Sequence, residues 1–109
     1  MITTHVLDTA AGCPGRAIAI ELERLDGSWH PVGAGVTDGD GRLRTLTPAG
    51  ALAVGMYRIR FHTGQYFAAQ DIAHFFPVVE IHFHVADETQ HYHVPLLLSP
   101  YGYSTYRGS

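Results

Sequence analysis

The chain has 109 residues, 46% of them hydrophobic and 16% charged, with a net charge of -3. That length is one domain able to bury roughly 65% of its unfolded surface. The weak acidic balance excludes a nucleic-acid tail or polybasic membrane patch, the single Cys13 excludes an intrachain disulfide framework, and no apolar run is long enough to cross a bilayer.

Residues 2–8 alternate and are β-branched, with Ile2, Thr4, Val6 and Asp8 on one face and Thr3, His5 and Leu7 on the other, which predicts a first strand. The segment has neither a basic nor an apolar leader region, so a soluble, cytoplasmic protein is expected. Residues 11–15 read as a Gly/Pro turn, and residues 16–24 as a second strand with Ile18, Ile20 and Leu22 inward. Asp26-Gly27 closes a hairpin onto a third strand over 28–36. The acidic turn Thr37-Asp38-Gly39-Asp40-Gly41 is too short and too poor in ligands for an EF-hand, and its simpler role is to aim Arg42 at the head of a short strand over 42–46.

Residues 47–54 form a connection. A fifth strand over 55–62 places Tyr57, Ile59 and Phe61 on one face and Arg58, Arg60 and His62 on the other. Residues 68–74 are the one stretch with helical composition, and residues 78–85 make a sixth strand with Ile81, Phe83 and Val85 inward. After a turn over 86–90, the chain ends in two β-rich runs, 91–99 and 101–106, hinged at Ser99-Pro100. In the first run Tyr92, Val94, Leu96 and Leu98 face the core, while the face of His91, His93, Pro95 and Leu97 begins polar and ends apolar, as if covered. In the second, alternation separates Tyr106 from Tyr101 and Tyr103. About eight strands and one short helix predict an all-β sandwich over residues 1–109.

Eight histidines are the compositional excess. If the strands carrying His82, His84, His91 and His93 paired as a hairpin, four imidazoles would share a face, a geometry suited to zinc. The plainer reading is a polar outer face, and no carboxylate lies in the pattern. A second set is dispersed: His5, Arg42, and His93 with Tyr106. Imidazoles near neutral pH serve as base and acid, and a guanidinium fork holds and polarises oxygens. Taken singly, His5 reads as a strand histidine and Arg42 as a solvated turn arginine. No Gly-x-Ser-x-Gly elbow is present and Cys13 has no adjacent histidine, so no covalent nucleophile is indicated.

The ending His91-Tyr92-His93-Val94-Pro95-Leu96-Leu97-Leu98-Ser99-Pro100-Tyr101-Gly102-Tyr103-Ser104-Thr105-Tyr106-Arg107-Gly108-Ser109 resembles that of the transthyretin-related 5-hydroxyisourate hydrolases, marked by a terminal Tyr-Arg-Gly-Ser. Thr4-His5-Val6-Leu7-Asp8 is similar to the family's first strand, Thr37-Asp38-Gly39-Asp40-Gly41-Arg42 to its Asp-Gly-Arg turn, and Phe75-Phe76-Pro77 to the approach to its sixth strand. The resemblance implies an eight-stranded transthyretin-like sandwich, a homotetramer with sites in the channel between dimers, and hydrolysis of 5-hydroxyisourate to 2-oxo-4-hydroxy-4-carboxy-5-ureidoimidazoline in urate degradation.

No metal or other cofactor is implied, and the partners expected are a small-molecule substrate and further copies of the chain. The family's site falls on His5, Arg42, His93 and Ser109 as catalytic residues, with His5, Arg42 and Tyr106 holding substrate. Ser109 offers a hydroxyl or a terminal carboxylate. Alternation leaves His91 and His93 equivalent, and the family pattern selects His93. The rival expectation is a transthyretin-like carrier that binds a small ligand without turnover, although carriers lack the Tyr-Arg-Gly-Ser ending and the set of two histidines and an arginine.

Overall fold

The computed structural model describes residues 1–48 and 52–109; residues 49–51, inside the expected 47–54 connection, lie outside the described residues. Among the described residues the strands are β1 (Ile2–Asp8), β2 (Cys13–Pro14), β3 (Ala19–Asp26), β4 (Ser28–Val36), β5 (Arg42–Leu43), β6 (Gly55–Phe61), β7 (Val79–Val85), β8 (Tyr92–Ser99) and β9 (Gly102–Thr105), with one helix, α1 (Thr63–Ala68). They form two sheets. One runs β2-β1-β8-β9 with β5 also on β1, and the other runs β4-β3-β6-β7. The expected all-β sandwich is therefore what the chain adopts. β2 forms inside the expected turn over 11–15, and the strand expected over 42–46 shrinks to the two residues of β5.

Alternation sets the core. Ile20 and Leu22 of β3, Ile59 and Phe61 of β6, Val6 of β1 and Leu96 of β8 are at most 1% exposed, and all belong to one apolar cluster between the sheets. Each such side chain contributes roughly 1.5–3 kcal/mol by leaving water. β1 and β8 run parallel, paired from Ile2 opposite Tyr92 to Asp8 opposite Leu98. The buried Thr4 hydroxyl donates to the Val94 carbonyl at 2.6 Å and reinforces that ladder from the core side. Pro95 is buried within this single chain and Leu97 half-buried, so the apolar end of their face is covered as expected.

Two expectations need correction. The helix lies at Thr63–Ala68, not at 68–74. Its position is decided by tertiary burial: Thr63, Gly64 and Phe67 are buried on one side of it, and Gly64 abuts Pro77, whose carbonyl accepts from the Gly64 amide at 3.0 Å. The Ala/Gln-rich residues that follow terminate it. Asp71 takes a left-handed conformation at φ 60°, and the amides of Ile72 and Asp71 bond back to Phe67 and Ala68 at 3.0 and 3.1 Å, a Schellman ending.

The four-histidine hairpin does not form either. β7 pairs with β6 in one sheet, whereas β8 pairs with β1 and β9 in the other. Both strands must turn Ile81, Val85, Tyr92 and Val94 inward over the same core, which sends His82 and His84 out on one side of the sandwich and His93 out on the other. His82 instead lies tilted against Trp29, which in turn lies under the Arg58 guanidinium at 4.3 Å. Among the described residues no cluster of histidine, cysteine or carboxylate side chains is close enough to hold a metal.

Candidate active site

The predicted site residues His5, Arg42 and His93 lie on the outer face of the five-stranded sheet, and register places them. His5 stands opposite Arg42 across the antiparallel β1–β5 pair, while Thr3, two residues back on the same face, stands beside His93 across the parallel β1–β8 pair. Arg42 is delivered by the acidic turn. The Asp38 carboxylate accepts from the amides of Asp40 and Arg42, both at 2.9 Å, and the Asp38 amide donates to the Arg42 carbonyl at 2.9 Å. The Arg42 amide, joined by that of Asp40 and the charges of Arg44 and Arg42, holds the Asp38 carboxyl below its ordinary range despite some desolvation. Gly41 turns the corner at φ +76°, where a side chain would run into the Val6 carbonyl.

His93, half-buried, shares a cleft with Thr3, Arg42, Arg44, His91 and Ser109. Among the described residues neither Arg42 nor Arg44 makes an ion pair with a carboxylate, so both guanidiniums leave the cleft positive. Burial pushes the His93 pKa below its ordinary value, and the charges of Arg42, His91, His5 and Arg44 push the same way. Both effects favour the neutral form of the imidazole.

The chain terminus shapes this residue directly. The Gly108 amide donates to the His93 carbonyl at 2.8 Å, and a β-carbon on Gly108 would lie 2.5 Å from His93 Cδ2. His5 stands opposite Arg42 across the β1–β5 pair without lining the cleft itself, and its Nε2 lies 2.9 Å from the Asp40 carbonyl. A carbonyl only accepts, so Nε2 carries a proton and Nδ1 is the ring nitrogen left for another partner.

The structure therefore brings together Arg42, His93 and Ser109, with His5 alongside. Tyr106 is not part of this cleft: it is 59% exposed and borders a separate hollow with His84, Tyr92 and Arg107. Sequence reading overlooked Thr3, Arg44 and Gly108. Thr3 was findable, because it shares the outward face of β1 with His5; the packing of Gly108 on the imidazole has no sequence-level signal.

A sandwich whose outer sheet face presents two imidazoles and an unpaired guanidinium over an ordered terminus defines a transthyretin-like protein equipped for polar acid–base chemistry. The chain belongs to the HIUase/Transthyretin family, whose model matches residues 2–108. It is 46% identical to the 5-hydroxyisourate hydrolase of Salmonella dublin over 110 residues, covering 100% of this chain and 81% of that protein. Among solved structures it is similar to the 5-hydroxyisourate hydrolase of Klebsiella pneumoniae, with a TM-score of 0.88 and 33% identity over 99% of this chain and 92% of that one. Sea bream transthyretin in complex with thyroxine is also similar, with a TM-score of 0.91 and 32% identity over 98% of this chain and 93% of that one.

Proposed function

We propose that this protein hydrolyses 5-hydroxyisourate to 2-oxo-4-hydroxy-4-carboxy-5-ureidoimidazoline, a step of urate degradation. The observation that carries the reading is the meeting of Arg42 and His93 beside His5 on one sheet face, in a chain whose similarity to named hydrolases runs its full length. Backbone likeness alone does not choose between hydrolase and carrier, since the carrier's fold matches as well as the hydrolase's.

In this mechanism His93, neutral and with Nε2 facing the cleft, takes a proton from water as the water oxygen adds to a ring carbonyl carbon. Arg42 holds and polarises carbonyl oxygens and stabilises the negative charge that grows on them. The ring C–N bond then breaks, its electron pair stays on nitrogen, and the imidazolium returns the proton to that nitrogen. His5, its Nε2 tied to the Asp40 carbonyl, orients substrate and water through Nδ1. Ser109 closes the cleft.

Tyr106 is proposed to reach substrate in the homotetramer, from a neighbouring copy. Exposed apolar side chains at Phe75, Tyr101 and Tyr103 support such an assembly. The compartment proposed is the cytoplasm, where an exposed, unpaired thiol such as Cys13 stays reduced. No cofactor is invoked, because every step uses groups of the chain itself.

The test is an absorbance assay with freshly generated 5-hydroxyisourate, corrected for spontaneous decay. His93→Ala and Arg42→Ala are each expected to lower kcat/KM by about 10²- to 10⁴-fold. Rates within twofold of the parent for either variant would sink the assignment. Binding of an aromatic ligand without any turnover would favour the carrier.

A further inference from the structure

The Thr3 hydroxyl sits between two imidazoles, 2.8 Å from His93 Nδ1 and 2.8 Å from His91 Nε2. It is only 4% exposed, so bulk water does not compete for these bonds. We infer that Thr3 and His91 are positioning residues for His93: the hydroxyl accepts from His93 Nδ1–H and donates to His91 Nε2, which holds the lone pair of His93 Nε2 towards the cleft.

A hydroxyl has one proton and two lone pairs, so with both rings neutral three arrangements make both bonds; the one in which both rings donate leaves the hydroxyl proton without an acceptor among the hydrogen bonds of the described residues, and two keep it bonded. In one, Thr3 donates to His93 Nδ1 and accepts from His91 Nε2–H, and His93 is left with Nε2–H in the cleft. In the other, the one inferred, the two histidines exchange roles. Arg42 and Arg44 line the same cleft as His93 and act on its imidazole by charge, and positive charge favours a lone pair over an N–H dipole pointed at it. Gly108, packed on the Cδ2 edge of the ring, opposes a 180° ring flip that would turn Cδ2 towards the Thr3 hydroxyl and Nδ1 towards Gly108.

His91 has a distinct part in this. By taking the hydroxyl proton it prevents Thr3 from donating to His93. When His93 takes a proton from water at Nε2, its Nδ1–H bond to Thr3 is kept and becomes charge-assisted, so the imidazolium forms without local rearrangement. This inference rests on the proposed role of His93 as the base, yet its first measurement needs no substrate.

Long-range proton–nitrogen NMR correlations of the nitrogen-15-labelled protein at about pH 8, where imidazoles are neutral, report which ring nitrogen of His93 carries hydrogen. The parent is expected to show Nδ1–H. Thr3→Val, which keeps the shape and removes the hydroxyl, is expected to give a mixture, and Thr3→Ser to restore Nδ1–H. His91→Phe, at an exposed position, frees the Thr3 proton and is expected to move His93 to Nε2–H.

In parallel, kcat should fall about tenfold in Thr3→Val and His91→Phe, the loss of one neutral hydrogen bond, with KM within twofold and recovery in Thr3→Ser. An Nε2–H tautomer in the parent, spectra unchanged in both variants, or a kcat loss that Thr3→Ser does not recover would overturn the inference. Absence of turnover in the parent would overturn the hydrolase reading and leave the tautomer result standing.

Discussion

At the scale of single residues, the environment of His93 has a pH signature. Its pKa is lowered first by burial and then by Arg42, His91, His5 and Arg44, so the acid limb of kcat/KM should fall below the ordinary imidazole value of about 6.5. Arg42→Lys, which keeps the charge, should leave the limb in place, while Arg42→Ala should move it up. The same shift couples to stability. The folded protein binds this proton less readily than the unfolded chain, so the contribution is fully present above the unfolded imidazole pKa. It declines as pH falls from there through the lower folded value. Urea unfolding of the parent and of His93→Gln across that window reads it: the parent should lose more stability on acidification than the variant, and equal losses would contradict it. Gly108→Ala places a methyl against the imidazole edge and should lower kcat with little change in melting temperature, because the terminus lies at the sheet margin.

At the scale of elements, the acidic turn and the helix ending make separate predictions. Gly41 couples a positive φ to close contact with Val6 of β1, so Gly41→Ala should cost about 1–3 kcal/mol and displace Arg42. Thermal melting and the assay should both register it; a stable variant with parental activity would show that the turn does not aim the arginine. The opposite holds at Ala17, an exposed residue at φ 60° whose amide bonds the Thr37 carbonyl at 3.0 Å. Ala17→Gly relieves the strain and should raise stability by roughly 0.5–1 kcal/mol. The two outward faces behave differently. On the four-stranded sheet the Glu23 carboxyl is held below its ordinary range, chiefly by its 2.8 Å bond from Arg58, and Arg58 and Arg60 there are neutralised by glutamates. On the five-stranded sheet Arg42 and Arg44 have no such partners among the described residues, and that is where the cleft lies.

At the scale of the molecule, the core joins stability to function because the site rides on β1 and β8. Leu96 is fully buried, and Leu96→Ala should cost about 2–5 kcal/mol. Chemical unfolding measures this. Light scattering should give a mass near four times the 11.9 kDa chain for the proposed tetramer, and a monomer with full activity would remove any need for Tyr106 from a second copy.

Much of this architecture follows from periodicity alone. Alternation divides residues 2–8 and 55–61 into the two faces the sandwich uses and assigns the inward side chains of residues 92–98 correctly, because a strand buried on one face has a single register compatible with its apolar set. The family resemblance, and not the local pattern, is what selects His5, Arg42 and His93. What local pattern could not decide was partnership. Whether β8 lies against β7 or against β1 depends on which pairing covers one core from both sides, and that choice dissolved the four-histidine face and set His93 beside Thr3. Helix placement was decided in the same way, since the burial of Phe67 outweighed the intrinsic preference of the Ala-rich residues after it. The contacts that tune the candidate base, from Thr3, His91, Arg44 and Gly108, arise between segments up to 90 residues apart, and only the folded sheet brings them within bonding distance.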